Sequence, residues 1–505
     1  MSGTIRRALL VALVLCFVPA NTLAQDPVQV RYELGKRMQR LERALEEKRE
    51  DKAAWVRARP HLDKIAASFF GMSVENADRV IDQALAAVTD APHENELSPD
   101  GVLSLSCMGR LDRAVVPQDA GSTKLAVVRG YKVDTEGLEK IRGYSDTHHV
   151  VFAADEWGKL GEGKTNWGSS GMRFDFSDLK VLVNRLKPGD YRLAFRSDFT
   201  AMKESGQPAW TRRRVADSPR RMMFGFSVVE DLDKKLGRLA GRTVRAGNPV
   251  ETQIAFLERT IKKAVEGQSV EADVPANRLL DRALELAAMD EAAVGEPASI
   301  LPAVTRGGDH WLMMTVGEEE LPARMILPDQ LSEDPVLVVA LHGMGGTEHL
   351  FVDGLGAGLA GRLARLRGWI LLSPRATSKA SVLNEAVEQV RAAYGIPAGR
   401  VCVMGHSMGS VKAMELAQAA GFEFLAVAAI GGGGLVRDPT PFRGKPVHAF
   451  TGSADFAKGQ CAQLVASLTK SGAASELHTE PDIGHLTVVQ WWLPEIFRFF
   501  DEHAK

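Results

Sequence analysis

Apolar residues recur at helical spacing through the first hundred residues. In one stretch every third or fourth position is apolar, namely Leu34, Met38, Leu41 and Leu45. A second apolar set follows Pro60, and a third begins after Ser73. These repeats predict a helical N-terminal region over residues 25–102. A local helical hairpin is favoured over a dimer-forming coiled coil, because the heptad-like stretch is short.

The pattern then changes to short strands separated by turns. Strands are predicted at 125–128, 150–153, 172–176, 191–195 and 222–229. A Lys-Pro-Gly-Asp turn at 187–190 immediately precedes one of them. Residues 103–245 are therefore predicted to form a β-rich accessory domain, with a sandwich-like arrangement. Helical periodicity returns over residues 246–304, which we interpret as a helical connector.

From residue 305 to the end, strand-like and helix-like stretches alternate. Strands at 311–316 and 321–327 are predicted to form a hairpin about Gly317, and 336–341 is a continuous apolar run typical of a strand buried on both faces. Helices and further strands follow in turn up to a last helix at about 488–500. This alternation predicts an α/β domain over residues 305–505, with a mostly parallel sheet covered by helices on both faces.

The first 24 residues have the pattern of a signal peptide. Arg6 and Arg7 supply positive charge, residues 8–20 form an apolar run, and small residues precede Gln25. The apolar run is too short to span a bilayer. We therefore expect cleavage after Ala24 and an exported protein, periplasmic or extracellular, with no integral membrane segment after cleavage.

Composition narrows the classes of function. Among 505 residues, 45% are hydrophobic and 25% are charged, and the net charge is −2. A nucleic-acid partner is not expected, because there is no basic excess to neutralise phosphates. After cleavage Cys107, Cys402 and Cys461 would remain, and their spacing describes neither a disulfide framework nor a zinc site. We expect buried free thiols, no metal and no cofactor.

The most informative motif is G-x-S-x-G at 405–409. An apolar run leads directly into it, and a helical pattern follows at once. A strand that turns this sharply into a helix strains the backbone at its apex, and the two glycines remove side chains that would collide there. Ser407 is therefore predicted to be a nucleophile at a helix N-terminus. The alternative is a glycine-rich turn whose serine only caps the helix.

With this motif, residues 305–505 resemble the α/β-hydrolase family. The resemblance implies a triad in the order serine, acid, histidine. It places the acid at Asp455, after the strand at 446–450, and the base at His485, in the Gly-His pair before the last helix. Asp455 could instead cap the following helix, and Asp482 is a rival acid on the histidine loop.

The resemblance also implies an oxyanion hole. The sequence at 342–346 fits the H-G-x-G-G pattern that follows the third strand in this family. One donor amide is expected from this loop, with Met344 as first choice and Gly343 and Gly345 as alternatives. The other is expected from Met408. The four glycines at 431–434 lack the lysine of a phosphate-binding loop, so we interpret them as the chain leaving a strand end beside the active site.

The run of motifs is most similar to the secreted esterase and polyhydroxyalkanoate-depolymerase branch, and more loosely to prolyl-oligopeptidase-type domains. We therefore expect an exported serine hydrolase that cleaves a small-molecule or polymeric carboxylic ester through an acyl-enzyme. A serine peptidase of prolyl-oligopeptidase-like type is the closest alternative. A non-catalytic envelope binding protein on a hydrolase scaffold is the alternative from another class.

Overall fold

The computed structural model describes residues 27–70, 73–89, 99–131, 143–153, 167–172, 179–201, 220–240, 242, 245, 248–268, 271–292, 300–301, 304–376 and 378–505. The predicted signal peptide and the predicted strand positions 173–176 lie outside these residues. In the parts of the chain that are described, no helix is both long and apolar enough to cross a membrane.

The N-terminal region is helical, as its periodicity predicted. It contains α1 (Pro27–Glu47), α2 (Lys52–Phe70), α3 (Val74–Thr89) and α4 (Pro99–Ser106). Asp82 on α3 is fully buried between two arginines of α1, accepting a 2.6 Å hydrogen bond from Arg37 Nη1 and a further one from Arg40. This buried ion pair links α1 to α3 in the described structure.

The next region forms two facing sheets. Its strands are β1 (Cys107–Leu111), β2 (Val115–Pro117), β3 (Ser122–Arg129), β4 (Gly143–Ala153), β5 (Trp167–Met172), β6 (Leu179–Leu182), β7 (Gly189–Ala201) and β8 (Met222–Val229). Among the described residues, one sheet has the order β1-β3-β6 and the other β2-β8-β7-β4-β5. Leu125, Leu193 and Phe226 belong to the core of this region. The predicted sandwich-like arrangement agrees with these two sheets.

Three helices connect this region to the last one. They are α5 (Leu232–Leu239), α6 (Pro249–Val265) and α7 (Ala276–Ala292). Asn248 caps α6, because its side-chain oxygen accepts hydrogen bonds from the amides of Val250 and Glu251 at 3.0 and 3.1 Å. The predicted connector, 246–304, is therefore helical where it is described, whereas α5 lies inside the range predicted to be β-rich.

The C-terminal region contains one large sheet. Its strands are β9 (Gly308–Val316), β10 (Glu319–Leu327), β11 (Leu337–Leu341), β12 (Ile370–Pro374), β13 (Val401–His406), β14 (Ala426–Ile430), β15 (Val447–Gly452) and β16 (Leu477–Glu480). Within the described chain their order is β16-β15-β14-β13-β11-β12-β10-β9. β9 and β10 form the predicted hairpin about Gly317, β10 is antiparallel to β12, and the other pairs are parallel.

Helices cover both faces of this sheet. They are α8 (Leu355–Leu366), α9 (Ala380–Tyr394), α10 (Met408–Ala417), α11 (Lys458–Lys470) and α12 (Val488–His503). Successive residues of β11 alternate between two cores: Val338 packs with α8 and α12, and Val339 packs with α9, α10 and α11. This two-sided burial explains the continuous apolar run at 336–341.

The flanking helices extend these two cores. Apolar residues of α1, α2 and α3 share the core of α8 and α12, and those of α6 and α7 share the opposite core. Trp55 meets Trp491 edge-on at 4.9 Å, and Gln490 Nε2 donates a 2.7 Å hydrogen bond to the carbonyl of Glu42. The N-terminal helices thus pack on the helices that cover one face of the large sheet, and are more than a local hairpin. The division at residues 102, 245 and 304 stays a prediction.

Candidate active site

Ser407 lies at the sharp turn between β13 and α10. Its backbone has φ 56° and ψ −116°, a conformation that a non-glycine residue rarely adopts. A Cβ added at Gly405 would lie 2.0 Å from the carbonyl oxygen of Gly409, and one added at Gly409 would lie 2.0 Å from that of Leu341. Both glycines of the motif are therefore required by backbone contact, and the serine stands at the apex of a strained turn.

The structure brings the three predicted triad residues together. The Nε2 atom of His485 is 3.0 Å from Ser407 Oγ, and its Nδ1 atom is 2.9 Å from Asp455 Oδ1. With Nδ1 protonated, His485 donates to the carboxylate, and the lone pair of its Nε2 can accept the serine proton. Both His485 and Asp455 are buried. This geometry is within hydrogen-bond reach for a nucleophile, a base and an orienting acid.

Asp455 is held as a carboxylate. Burial acts to raise its pKa, but the hydrogen bond and charge of His485, together with the amide of Ala457 at 2.8 Å, outweigh it and lower the pKa below its usual value. Asp455 therefore remains ionised near neutral pH. The rival Asp482 points elsewhere, since its carboxylate pairs with Arg59 of α2.

His406, the residue before the nucleophile, is a positioning residue that sequence reasoning did not single out. Its Nε2–H donates to the backbone carbonyl of His485 at 3.0 Å, and the two rings lie 4.7 Å apart. Burial, reinforced by the neighbouring His485, lowers the pKa of His406 to about 3, so the ring is neutral at working pH. The contact fixes the backbone of the general-base candidate relative to the turn.

We expect His406→Ala to lower kcat by about tenfold or more, because the buried carbonyl of His485 loses its donor, at a cost of about 1–3 kcal/mol. His406→Gln, which keeps a side-chain N–H, should recover part of the loss. Steady-state kinetics on an ester substrate measure both. If the two variants lose kcat equally, or only KM changes, His406 does not position His485 through this hydrogen bond.

The predicted oxyanion loop is a tight turn beside Ser407. The amide of Gly346 donates to the carbonyl of Gly343 at 3.2 Å, and Gly345 has φ 76°. His342 Nδ1 also donates to the Gly343 carbonyl, at 2.8 Å, while its Nε2 accepts from the amide of Ala376 at 2.9 Å. A Cβ added at Gly343 would lie 3.2 Å from the Cβ of Ser407. The loop and the nucleophile are therefore in direct contact.

The turn geometry favours Met344 as the donor from this loop. The carbonyl of Gly343 points to the His342 ring, and in a trans peptide the following N–H, which belongs to Met344, points the opposite way. Met408 is the first residue of α10, where helix amides have no intrahelical acceptor. Met344 and Met408 thus stay our candidates for the two oxyanion donors, ahead of Gly343 and Gly345.

The glycine run at 431–434 leaves β14 beside the site, as the sequence predicted, and its first two glycines lie against the triad. Gly431 has φ 52°, and a Cβ there would lie 2.8 Å from Asp455 Oδ2 and 3.3 Å from His485 Nδ1. At Gly432 a Cβ would lie 2.5 Å from the carbonyl oxygen of Ser407. The run therefore lets the chain pass directly beside the triad after β14.

Gly431→Ala should lower activity at least tenfold, because the new methyl group would press on the Asp455–His485 pair. Gly444→Ala is the matched control, since Gly444 also has positive φ, 68°, but a Cβ there would meet nothing within 4 Å. Both variants should lose about 1–2 kcal/mol of stability from backbone strain. Thermal unfolding and ester kinetics separate the two effects, and an equal loss of activity in both variants would contradict this interpretation.

Two exposed apolar side chains lie at the site. Phe456, which follows the acid, is 62% exposed and its ring lies 4.1 Å from that of His485, and Met344 on the predicted oxyanion loop is 38% exposed. A cavity of about 570 Å³ lies elsewhere in the described structure, and its lining includes Lys36, Asp273 and Arg324. The described part of the site therefore presents apolar side chains to solvent.

The three cysteines in the described part of the chain are buried and free, as predicted. Burial raises the pKa of Cys107 and that of Cys461 to about 11, and raises the pKa of Cys402 further. Cys461 Sγ donates to the carbonyl of Gly432 at 3.1 Å, below the glycine run. These thiols are protonated at neutral pH, so none of them is activated as a nucleophile.

No protein-family model matches the sequence, and no curated protein matches it. Among solved structures the chain is similar to an arylesterase, with 14% identity and a TM-score of 0.33, over 51% of this chain and 100% of that one. A bacterial heroin esterase has 14% identity and a TM-score of 0.33, over 39% and 84%. An S-formylglutathione hydrolase from Staphylococcus aureus has 13% identity and a TM-score of 0.32, over 40% and 98%. Because these scores are low, the fold is assigned from the strands of this chain.

Counted along the chain, the eight described strands of the large sheet have the spatial order 1-2-4-3-5-6-7-8, with the second strand antiparallel to its neighbours. The glycine turn follows the third strand, Ser407 the fifth, Asp455 the seventh and His485 the eighth. A mostly parallel sheet covered by helices, with the serine, the acid and the histidine in this chain order after its strands, is what the resemblance to this family implies. Residues 308–505 therefore have the α/β-hydrolase fold.

Proposed function

We propose that the protein is an exported serine hydrolase that cleaves carboxylic esters through an acyl-enzyme. One observation carries the proposal: Ser407 Oγ, held in a strained turn, lies 3.0 Å from His485 Nε2, whose Nδ1 lies 2.9 Å from Asp455. A serine that only capped α10 would need neither a histidine nor a buried carboxylate behind it, and Ser407 makes no side-chain capping hydrogen bond.

The reaction follows from these positions. Ser407 Oγ attacks the ester carbonyl carbon while His485 Nε2 takes the serine proton, and Asp455 stabilises the imidazolium that forms. The carbonyl oxygen becomes an oxyanion that the amides of Met344 and Met408 would stabilise. His485 returns the proton to the alcohol as the ester bond breaks. A water molecule, deprotonated by His485, then attacks the acyl-enzyme and releases the acid.

The exposed apolar side chains beside the triad support an ester with an apolar acyl group, either a small molecule or part of a polymer. Phe456 and Met344 present exposed side chains at the base and at the predicted oxyanion turn. Covering these side chains with an apolar acyl group removes apolar surface from water, which favours binding. The polyhydroxyalkanoate-depolymerase-like branch stays a prediction within this proposal.

The proposal is tested on a series of p-nitrophenyl esters of increasing acyl length, beside peptide p-nitroanilides. We expect ester hydrolysis with kcat/KM rising as the acyl chain lengthens, because longer chains cover more of the apolar surface. Hydrolysis of the anilides alone would favour the peptidase alternative. If the folded protein hydrolyses neither class, the non-catalytic binding protein becomes the better interpretation.

Export is proposed on the residues at 1–24 alone. N-terminal sequencing of the protein recovered from the periplasm or medium of an expressing bacterium should begin at Gln25. Recovery of the uncleaved chain from the cytoplasm would contradict this part of the proposal.

A further inference from the structure

A second group of potential ligands lies on the large sheet, at the end remote from the triad. β15 and β16 are parallel with Ala449 opposite Leu477, so His448 and Glu476 are neighbours, and His478 projects on the same face. The group cannot be recognised from sequence spacing, because His448 lies on β15 and His478 lies on β16, 30 positions later. About 13 Å of strand separates His448 from Gly452, after which the chain turns towards Asp455.

The three side chains converge. His448 Nδ1 is 3.0 Å from His478 Nε2, and Glu476 Oε2 is 3.9 Å from the same His478 atom. One nitrogen or oxygen from each residue lies within 4.8 Å of the other two. A hydrogen bond between two imidazoles needs no third partner, whereas three donor atoms this close together match the spacing of three protein ligands around one metal ion.

Aromatic rings hold both imidazoles in place. His478 stacks on Phe450 with ring centroids 4.6 Å apart, and His448 stacks on Phe499 of α12 at 4.1 Å. Trp492, also on α12, lies 5.9 Å from His478. The aromatic rings therefore fix the two imidazoles on the protein side. Glu476, with 65% of its side chain exposed, lies on the solvent side of them. This preorganisation lowers the cost of binding, because little side-chain freedom is lost.

We propose that His448, Glu476 and His478 form a binding site for a divalent transition-metal ion, with Zn²⁺ as the best match. Two imidazoles and one carboxylate suit this class of ion, and the solvent-exposed fourth position would hold water. Nitrogen atoms bound to one tetrahedral Zn²⁺ are about 3.3 Å apart, close to the 3.0 Å between these two rings.

Binding needs one internal proton shift. In the metal-free pair, one of the two facing nitrogens carries the hydrogen that the other accepts. For both nitrogens to offer a lone pair, that hydrogen moves to the other nitrogen of the same ring, so both imidazoles stay neutral. The site would then link β15 to the edge strand β16, which leads into the loop of His485. Its role is structural, because the described contacts of its residues are with one another and with the rings of Phe450, Trp492 and Phe499.

The proposal is tested by isothermal titration of ZnCl₂ into EDTA-treated, full-length protein, with melting curves alongside. We expect one Zn²⁺ per chain and a rise in Tm of several degrees at saturating metal. Glu476→Gln and His478→Ala should each weaken binding at least tenfold. Thr479→Ala, on the opposite face of the same strand, is the control and should bind as wild type does.

Glu476→Gln keeps the test decisive if His478→Ala fails to fold, because Glu476 is largely exposed. The proposal is wrong if the wild-type protein shows no saturable binding below millimolar Zn²⁺, or if Glu476→Gln and Thr479→Ala bind Zn²⁺ equally well. Added Zn²⁺ should leave ester hydrolysis by wild type within twofold, since the site is remote from Ser407.

Discussion

Ser407→Ala is expected to reduce kcat/KM for an activated ester by about 10⁵–10⁶-fold, because the acyl-enzyme can no longer form. His485 and Asp455 would remain paired at 2.9 Å, so folding should be unaffected. Steady-state hydrolysis of a p-nitrophenyl ester, with unfolding curves to confirm the fold, measures the effect.

Ser381→Ala is the matched control, since Ser381 is an exposed serine on α9. It should retain wild-type kinetics. A Ser407→Ala protein that is folded and keeps more than a tenth of the wild-type rate would show that another group attacks the carbonyl.

Arg324→Met is expected to cost about 3–5 kcal/mol of unfolding free energy, because it leaves two carboxylates without their buried counterion. Arg324 is 2% exposed on β10. It donates to Asp309 at 2.9 Å, to Asp353 at 2.8 Å and to His349 at 2.7 Å. Its guanidinium also lies 4.5 Å from the ring of Trp311. The network joins the β9–β10 hairpin to the segment that follows the oxyanion turn.

The same substitution at Arg498 is the control. Arg498 is 66% exposed and pairs with Glu495 on the surface of α12, so its loss should cost about 0–1 kcal/mol. Urea unfolding followed by tryptophan fluorescence measures both variants. Losses below 1 kcal/mol in both would show that the Arg324 network contributes little to stability.

Local patterns in the sequence were sufficient to predict the α/β fold of residues 305–505. The run at 336–341 alternates between two cores, and this two-sided burial is why a continuous apolar stretch predicts a strand in a parallel sheet. The nucleophile turn was also predictable, because Gly405 and Gly409 are required by contacts within a few residues or with the adjacent strand. Asp455 and His485 needed the family resemblance in addition, since 30 residues separate them in the chain.

Features that depend on distant packing could not be predicted. His406 belongs to the G-x-S-x-G motif, but only the structure shows that its ring donates a hydrogen bond to the carbonyl of His485. His448 and His478 look like isolated strand residues until the register of β15 and β16 brings them together. The periodicity of α1 shows an apolar face without showing what packs against it. Its partners include α12, where Gln490 bonds to Glu42 of α1 across 448 positions of the chain. In each case the tertiary structure, and not a local sequence pattern, determines which residues come into contact.

The central claim is that Ser407 is the activated nucleophile, and covalent labelling tests it most directly. The protein would be treated with a fluorophosphonate, digested and mapped by mass spectrometry. We predict one adduct per chain, on the peptide that contains Ser407, and no adduct in heat-unfolded protein or in Ser407→Ala. A folded wild-type protein that stays unmodified, or an adduct that persists in Ser407→Ala, would contradict the account.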